Sequence, residues 1–133
     1  PARPGISVKL SALHPRYEAL SRERVLKELT PLLLTLAQKA RAHELNFTID
    51  AEEADRLELS LEVLAATLAD PSLEGWSGFG LAIQAYQKRA LAVIDHIEAL
   101  AQVETTLAAN TVDTAAVANS PSSHSMTPER KPA

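Results

Sequence analysis

Three polar side chains stand where short β-rich runs give way to loops: Lys9, Asp50 and Gln84. They supply a cation, an anion and an amide. Gathered in one place, such a set could hold a zwitterion or a heteroaromatic ring. Their separations of 41 and 34 residues are each close to one βα unit. In barrels of alternating strands and helices, side chains at the C-terminal ends of the strands build the active site. Polarity is also expected at any strand end, so the spacing by itself leaves both readings open.

Other residues offer weaker chemistry. Asp50-Ala51-Glu52-Glu53-Ala54-Asp55-Arg56 is densely acidic. Carboxylates suit hard cations. Glu52, Glu53 and Asp55 are better read as the first turn of a helix, where the dipole favours negative charge. His14, His43, His96 and His124 show no ligand spacing such as i, i+4. They read as surface or structural histidines, and no metal site is expected. No Ser/His/Asp nucleophile arrangement can be argued. Tyr86-Gln87-Lys88-Arg89 is either a helix N-terminal turn with solvated basic residues or a loop lining the mouth of a site.

These residues need elements to position them. Ile6-Ser7-Val8-Lys9-Leu10 reads as a first strand. Ser21 could cap a helix running to about Ala42, with Val25, Leu29, Leu32, Leu33, Leu36 and Ala40 at helical spacing. Pro31 should kink that helix or lie near its boundary. Phe47-Thr48-Ile49-Asp50 is a second strand, and Leu57, Leu61, Leu64 and Leu68 mark a second helix that Asp70-Pro71 ends. After the loop Gly75-Trp76-Ser77-Gly78 comes a third strand, Leu81 to Ala85. A third helix runs from Ala90 to about Gln102, with Val93, Ile94, Ile97 and Leu100 on one face. Alternating strands and helices imply parallel pairing through crossovers, in a doubly wound sheet or a barrel. No glycine occurs between Lys9 and Tyr17, which weighs against a dinucleotide-binding turn after the first strand.

Composition narrows the classes further. The net charge of −4, with no basic cluster beyond Lys88-Arg89, argues against a nucleic-acid partner. The absence of cysteine removes disulfide and thiolate chemistry and fits the cytosol. No run approaches the roughly 20 apolar residues that cross a bilayer. Residues 103–133 are rich in Thr, Ala, Ser and Pro and read as a low-complexity, disordered tail.

Three stretches carry a resemblance. Gly5 to Tyr17 (GISVKLSALHPRY), Ile49 to Glu58 (IDAEEADRLE) and Gln84 to Arg89 (QAYQKR) stand in order at fitting separations. They resemble the proline dehydrogenase domain of the bifunctional proline utilization A family, over roughly residues 3–102. The resemblance implies a (β/α)₈ TIM-type barrel that binds FAD at the C-terminal ends of its strands. It implies oxidation of L-proline to 1-pyrroline-5-carboxylate in proline catabolism to glutamate, with electrons passed to quinone. It also implies a cytoplasmic enzyme peripherally associated with the inner membrane. Lys9 would ion-pair with the proline carboxylate. Asp50 and Gln84 would hydrogen-bond the flavin ring, and Ala51 would lie beside it.

The match stops near Gln102. The family's later strands bring an arginine pair for the substrate carboxylate and basic residues for the FAD pyrophosphate, and nothing after Gln102 resembles them. The chain is therefore expected to hold about three βα units, a partial barrel. A closed barrel takes roughly 200 residues or more, so the expectation is a fragment inactive alone. The alternative is a non-catalytic α/β interaction fragment that self-associates through open sheet edges.

Overall fold

A computed structural model of the chain describes residues 4–102. The tail expected over 103–133 lies outside the described residues. The elements in order are strand β1 (Gly5–Val8), a short helix α1 (Leu10–Leu13), the long helix α2 (Arg22–Ala42), β2 (Asn46–Ile49), α3 (Leu57–Leu68) and β3 (Phe79–Leu81). A further helix, α4, occupies residues 90–102. Single 3₁₀ turns precede α2 and α3, and another follows α3 at Pro71–Leu73.

The three strands form one parallel sheet in the order β1-β2-β3. Both crossover helices, α2 and α3, pack against each other, so they cover the same face. A doubly wound sheet reverses direction and places helices on both faces. Strands added in sequence order, with their helices on one side, are the progression of a (β/α) barrel. The structure is thus α/β, a partial barrel.

Side-chain alternation decides which face is buried. Phe47 and Ile49 point to the helices and are 2% and 0% exposed. Helix α2 answers with Val25, Leu29, Leu33, Ala37 and Ala40, a stripe of three- and four-residue steps. Helix α3 adds Leu59, Val63 and Leu64. Each such Leu or Val contributes about 1.5–3 kcal/mol on leaving water. On the other face lie Ser7, Thr48 and Gly80, side by side in register. Phe79 meets Phe47 with ring centroids 5.6 Å apart, and Trp76 meets Phe79 edge-on at 6.0 Å. This aromatic cluster closes the bottom of the β2–β3 pair.

Several boundaries differ from the sequence expectation. Strand β1 ends at Val8; Lys9 is the N-cap of α1, and Leu10 is buried as its first residue. Strand β3 is Phe79–Leu81, two residues earlier than Leu81 to Ala85. Pairing with β2 decides this: Phe47 N–H donates to Gly78 O at 2.8 Å, and Ala82 N–H donates to Ile49 O at 2.8 Å. Beyond Ile49 the second strand has turned away, so β3 has no partner after Ala82. Pro31 lies inside α2, not at a boundary. It faces solvent, where water can satisfy the carbonyl that loses its donor. Ser21 occupies the N-cap of α2 without capping it, and its hydroxyl donates to Glu18 instead. In α4, Ala90 and Val93 are buried, but Ile94 is 46% exposed, so the buried face is narrower than expected.

Candidate active site

The C-terminal ends of the strands lie level. Val8 pairs with Ile49, and Ile49 with Leu81. The next residues are therefore Lys9, Asp50 and Ala82, on strands about 4.8 Å apart. Lys9 and Asp50 occupy equivalent places, as their spacing suggested. Gln84 does not. It stands two residues beyond the equivalent Ala82, because β3 begins earlier than expected.

Asp50, Ala51 and Gln84 nevertheless converge. All three line one cavity of about 30 Å³, together with Glu52, Gln87 and Tyr17, roughly the space of one water. Asp50 is half-buried, and its Oδ1 accepts from Ala51 N–H at 3.2 Å. Lys9 is not in this lining. It is exposed, and it pairs with no carboxylate within 4.0 Å among the described residues. It remains a free cation at the end of the neighbouring strand.

The amide of Gln84 is oriented by two partners. Its Nε2 donates to Glu52 O at 3.1 Å, and its Oε1 accepts from Gln87 Nε2. A backbone carbonyl can only accept, so the nitrogen must face it, and this fixes which way the amide points. One N–H and one lone pair remain for a bound group.

Glu52 links the loops. Its side chain is 9% exposed. Its Oε2 accepts from Ser11 N–H at 3.1 Å, and its Oε1 accepts from the Ser11 hydroxyl. Of the acidic run, Asp55 falls in the 3₁₀ turn Ala54–Arg56 that leads into α3 and Glu53 is the N-cap of that turn, as expected, whereas Glu52 lies before it. Arg56 stands 4.0 Å from Glu52 and 3.3 Å from Glu53, with its guanidinium carbon 5.5 Å from the centre of the Tyr17 ring. Tyr17 is buried, and its hydroxyl donates to Arg56 O at 3.5 Å. Burial, with the nearby Glu52 charge, pushes its phenol up to about 12.

The Tyr86-Gln87-Lys88-Arg89 stretch divides between both expectations. Tyr86 is 82% exposed. Gln87 belongs to the cavity, and Arg89 donates to Ala54 O, tying the third loop to the second. His14 is structural: it is 6% exposed, its Nε2 meets Glu28 at 2.9 Å, and its Nδ1 accepts from Arg16 N–H at 3.2 Å. His43 and His96 lie on the surface, and His124 lies outside the described residues. A larger apolar groove, of about 550 Å³, lies away from these groups, between α3, the Trp76 loop and α4.

Sequence reasoning overlooked Ser11 and Glu52 as a pair. A signal existed: each stands two residues beyond Lys9 and Asp50 respectively, on strands in register. Tyr17 and Arg89 stood inside stretches already singled out, but no spacing pointed to their partners, the carbonyls of Arg56 and Ala54.

The chain was compared with known proteins. The family model for proline dehydrogenase matches residues 1–109. The bifunctional protein PutA of Salmonella typhimurium is 54% identical over 98 residues, and that of Rhizobium meliloti 52% over 99. Each alignment takes in 74% of this chain but only 7% and 8% of the relative. Among solved structures, proline utilization A with proline bound in remote sites superposes at a TM-score of 0.77, with 76% identity over 79% of this chain and 11% of that one. The D779Y mutant of Bradyrhizobium japonicum proline utilization A superposes at 0.76, with 77% identity over 77% and 11%. A match over most of this chain, at this identity and with this fold, leaves one reading: the chain belongs to the proline dehydrogenase family.

Proposed function

We propose that the chain supplies part of the active site of an FAD-dependent proline dehydrogenase. The observation that carries this reading is the placing of Lys9 and Asp50 at level strand ends, with Ala51 and Gln84 beside them. The residues suit a flavin. Asp50 offers an acceptor, the oriented Gln84 amide offers one donor and one acceptor, and Ala51 takes little room. Ser7, Thr48 and Gly80 keep the adjoining sheet face small.

The bound flavin would supply the hydride acceptor. L-Proline loses a hydride from carbon and a proton from nitrogen, and its C–N single bond becomes the C=N of 1-pyrroline-5-carboxylate. Lys9 binds the substrate carboxylate and so sets which carbon faces the flavin. Asp50 and Gln84 hold the ring and bias its protonation. Quinone as final electron acceptor, and peripheral attachment to the inner membrane, belong to the longer proteins and come to this chain only by this proposal. No helix among the described residues is long and apolar enough to cross a membrane.

The three strands among the described residues do not close a barrel. The 133-residue chain alone is therefore expected to show negligible proline oxidation and weak or no FAD binding. Titrating the purified chain with FAD and recording the flavin absorbance tests this. A shifted band at one flavin per chain, with proline turnover, would overturn the expectation of inactivity. A second reading is self-association without catalysis. It draws on the unpaired outer edges of β1 and β3 among the described residues and on Ile6, 47% exposed on β1. Gel filtration separates the two: a flavin-free oligomer favours the second.

A further inference from the structure

We infer that Glu52 is a positioning residue that sets the place of Lys9 relative to Asp50 and Gln84. The inference rests on the proposed proline dehydrogenase site and deepens it. Glu52 reaches the chain that follows each of the three strands. It lies two residues beyond Asp50, its carboxylate takes the amide and hydroxyl of Ser11 two residues beyond Lys9, and its carbonyl takes the amide of Gln84.

The physical need is specific. Lys9 is the N-cap of α1, and its side chain makes no capping bond. An ammonium has no lone pair to accept with, so it cannot satisfy the free N–H groups of the turn that follows. An acceptor must come from elsewhere. Glu52 supplies it from the adjacent loop and leaves the Lys9 side chain free. The carboxylate is almost out of water, where such a charge-assisted bond holds its geometry best. Arg56, 4.0 Å away, partly balances the buried charge. Lys9 is thereby anchored through its backbone, not through its own side chain.

The test uses the flavin-loaded enzyme. Residues 4–102 are grafted in place of the matching segment of Bradyrhizobium japonicum proline utilization A, which is 77% identical there. Proline KM, kcat and FAD content are measured for Glu52→Ala, Glu52→Gln, Lys9→Met and the double variant of Glu52→Ala with Lys9→Met. Glu52→Ala is expected to raise KM about tenfold at unchanged FAD content, as a displaced binding group should. Glu52→Gln keeps an acceptor for the Ser11 amide and should stay within about threefold. The double variant should be no worse than Lys9→Met alone, because both act through one group. Should Glu52→Ala fail to fold, Ser11→Ala is the substitute and should raise KM in the same direction, by less.

A KM within about twofold in Glu52→Ala, multiplicative losses in the double variant, or FAD content and kcat falling together at constant KM would each overturn this inference alone. An unsubstituted graft that fails to oxidise proline, or Lys9→Met without effect on KM, would overturn the proposed function and this inference with it.

Discussion

The two faces of the sheet are made by the same three strands, yet they are opposite in character. On the helix side, Phe47 and Ile49 are sealed under α2 and α3 by a stripe of Leu, Val and Ala. On the other side, Ser7, Thr48 and Gly80 lie in a row of small residues, Ser7 exposed and the other two half-buried. The first face is complete within these residues. The second needs further structure, or a ligand, to become an interior. The difference shows what βα units bring with them: each carries its own outer core, whereas the inner core of a barrel is shared by all of its strands.

Stability measurements can break this contrast. Leu33 is fully buried under the sheet, so Leu33→Ala should cost about 2–5 kcal/mol in urea unfolding of the full chain. Thr48→Val, on the open face, should cost no more than about 0.5 kcal/mol. Similar losses at both positions would mean that the second face is also packed, and the contrast would fail.

A smaller effect should come from Tyr17. Its phenol is raised from 10.0 to about 12 by burial and by Glu52. The folded chain keeps a proton that the unfolded chain releases above pH 10. Tyr17's contribution is thus fully present below pH 10 and is lost as the pH rises toward 12. Tyr17→Phe should flatten that alkaline fall in unfolding midpoints. An identical fall in both proteins would place Tyr17 in water rather than in the joint between the first and second loops.

The smallest effect is expected at Glu28, on the outer surface of α2. His14, and then Arg24, hold its carboxyl below the usual range. Its contribution is present above the ordinary carboxylate range and is lost as the pH falls through the lowered value. Glu28→Gln should therefore reduce the acid-side drop in Tm only slightly, since the carboxylate is half exposed and screened. Added salt should shrink the difference further.

Much of the fold was legible because burial has a period. In α2, Val25, Leu29, Leu33 and Ala40 are buried as their spacing suggested, while Leu32 is 42% exposed and Ala37 takes a buried place that the spacing had not given it; the alternation of Phe47 and Ile49 follows directly from strand geometry. The level placing of Lys9 and Asp50 was legible too, because β1 and β2 begin their units alike. Gln84 was misplaced because strand limits depend on the partner strand: β3 starts where Gly78 O meets Phe47 N–H, not where its own β-rich run looks densest. For Pro31 the boundary alternative failed, because the solvent exposure that lets it stay inside α2 is a property of the packed helix.

Residue types and spacing by themselves determined the class of this protein: alternating units, one apolar face each, and a cation and a carboxylate at equivalent strand ends. Only the tertiary structure decided how those two are held. Glu52 looks like one acid among several in a run, and its meaning comes from Ser11, 41 residues away. Hydrogen bonds between loops join residues with no local period, so they can be read only once the sheet has set the strands side by side.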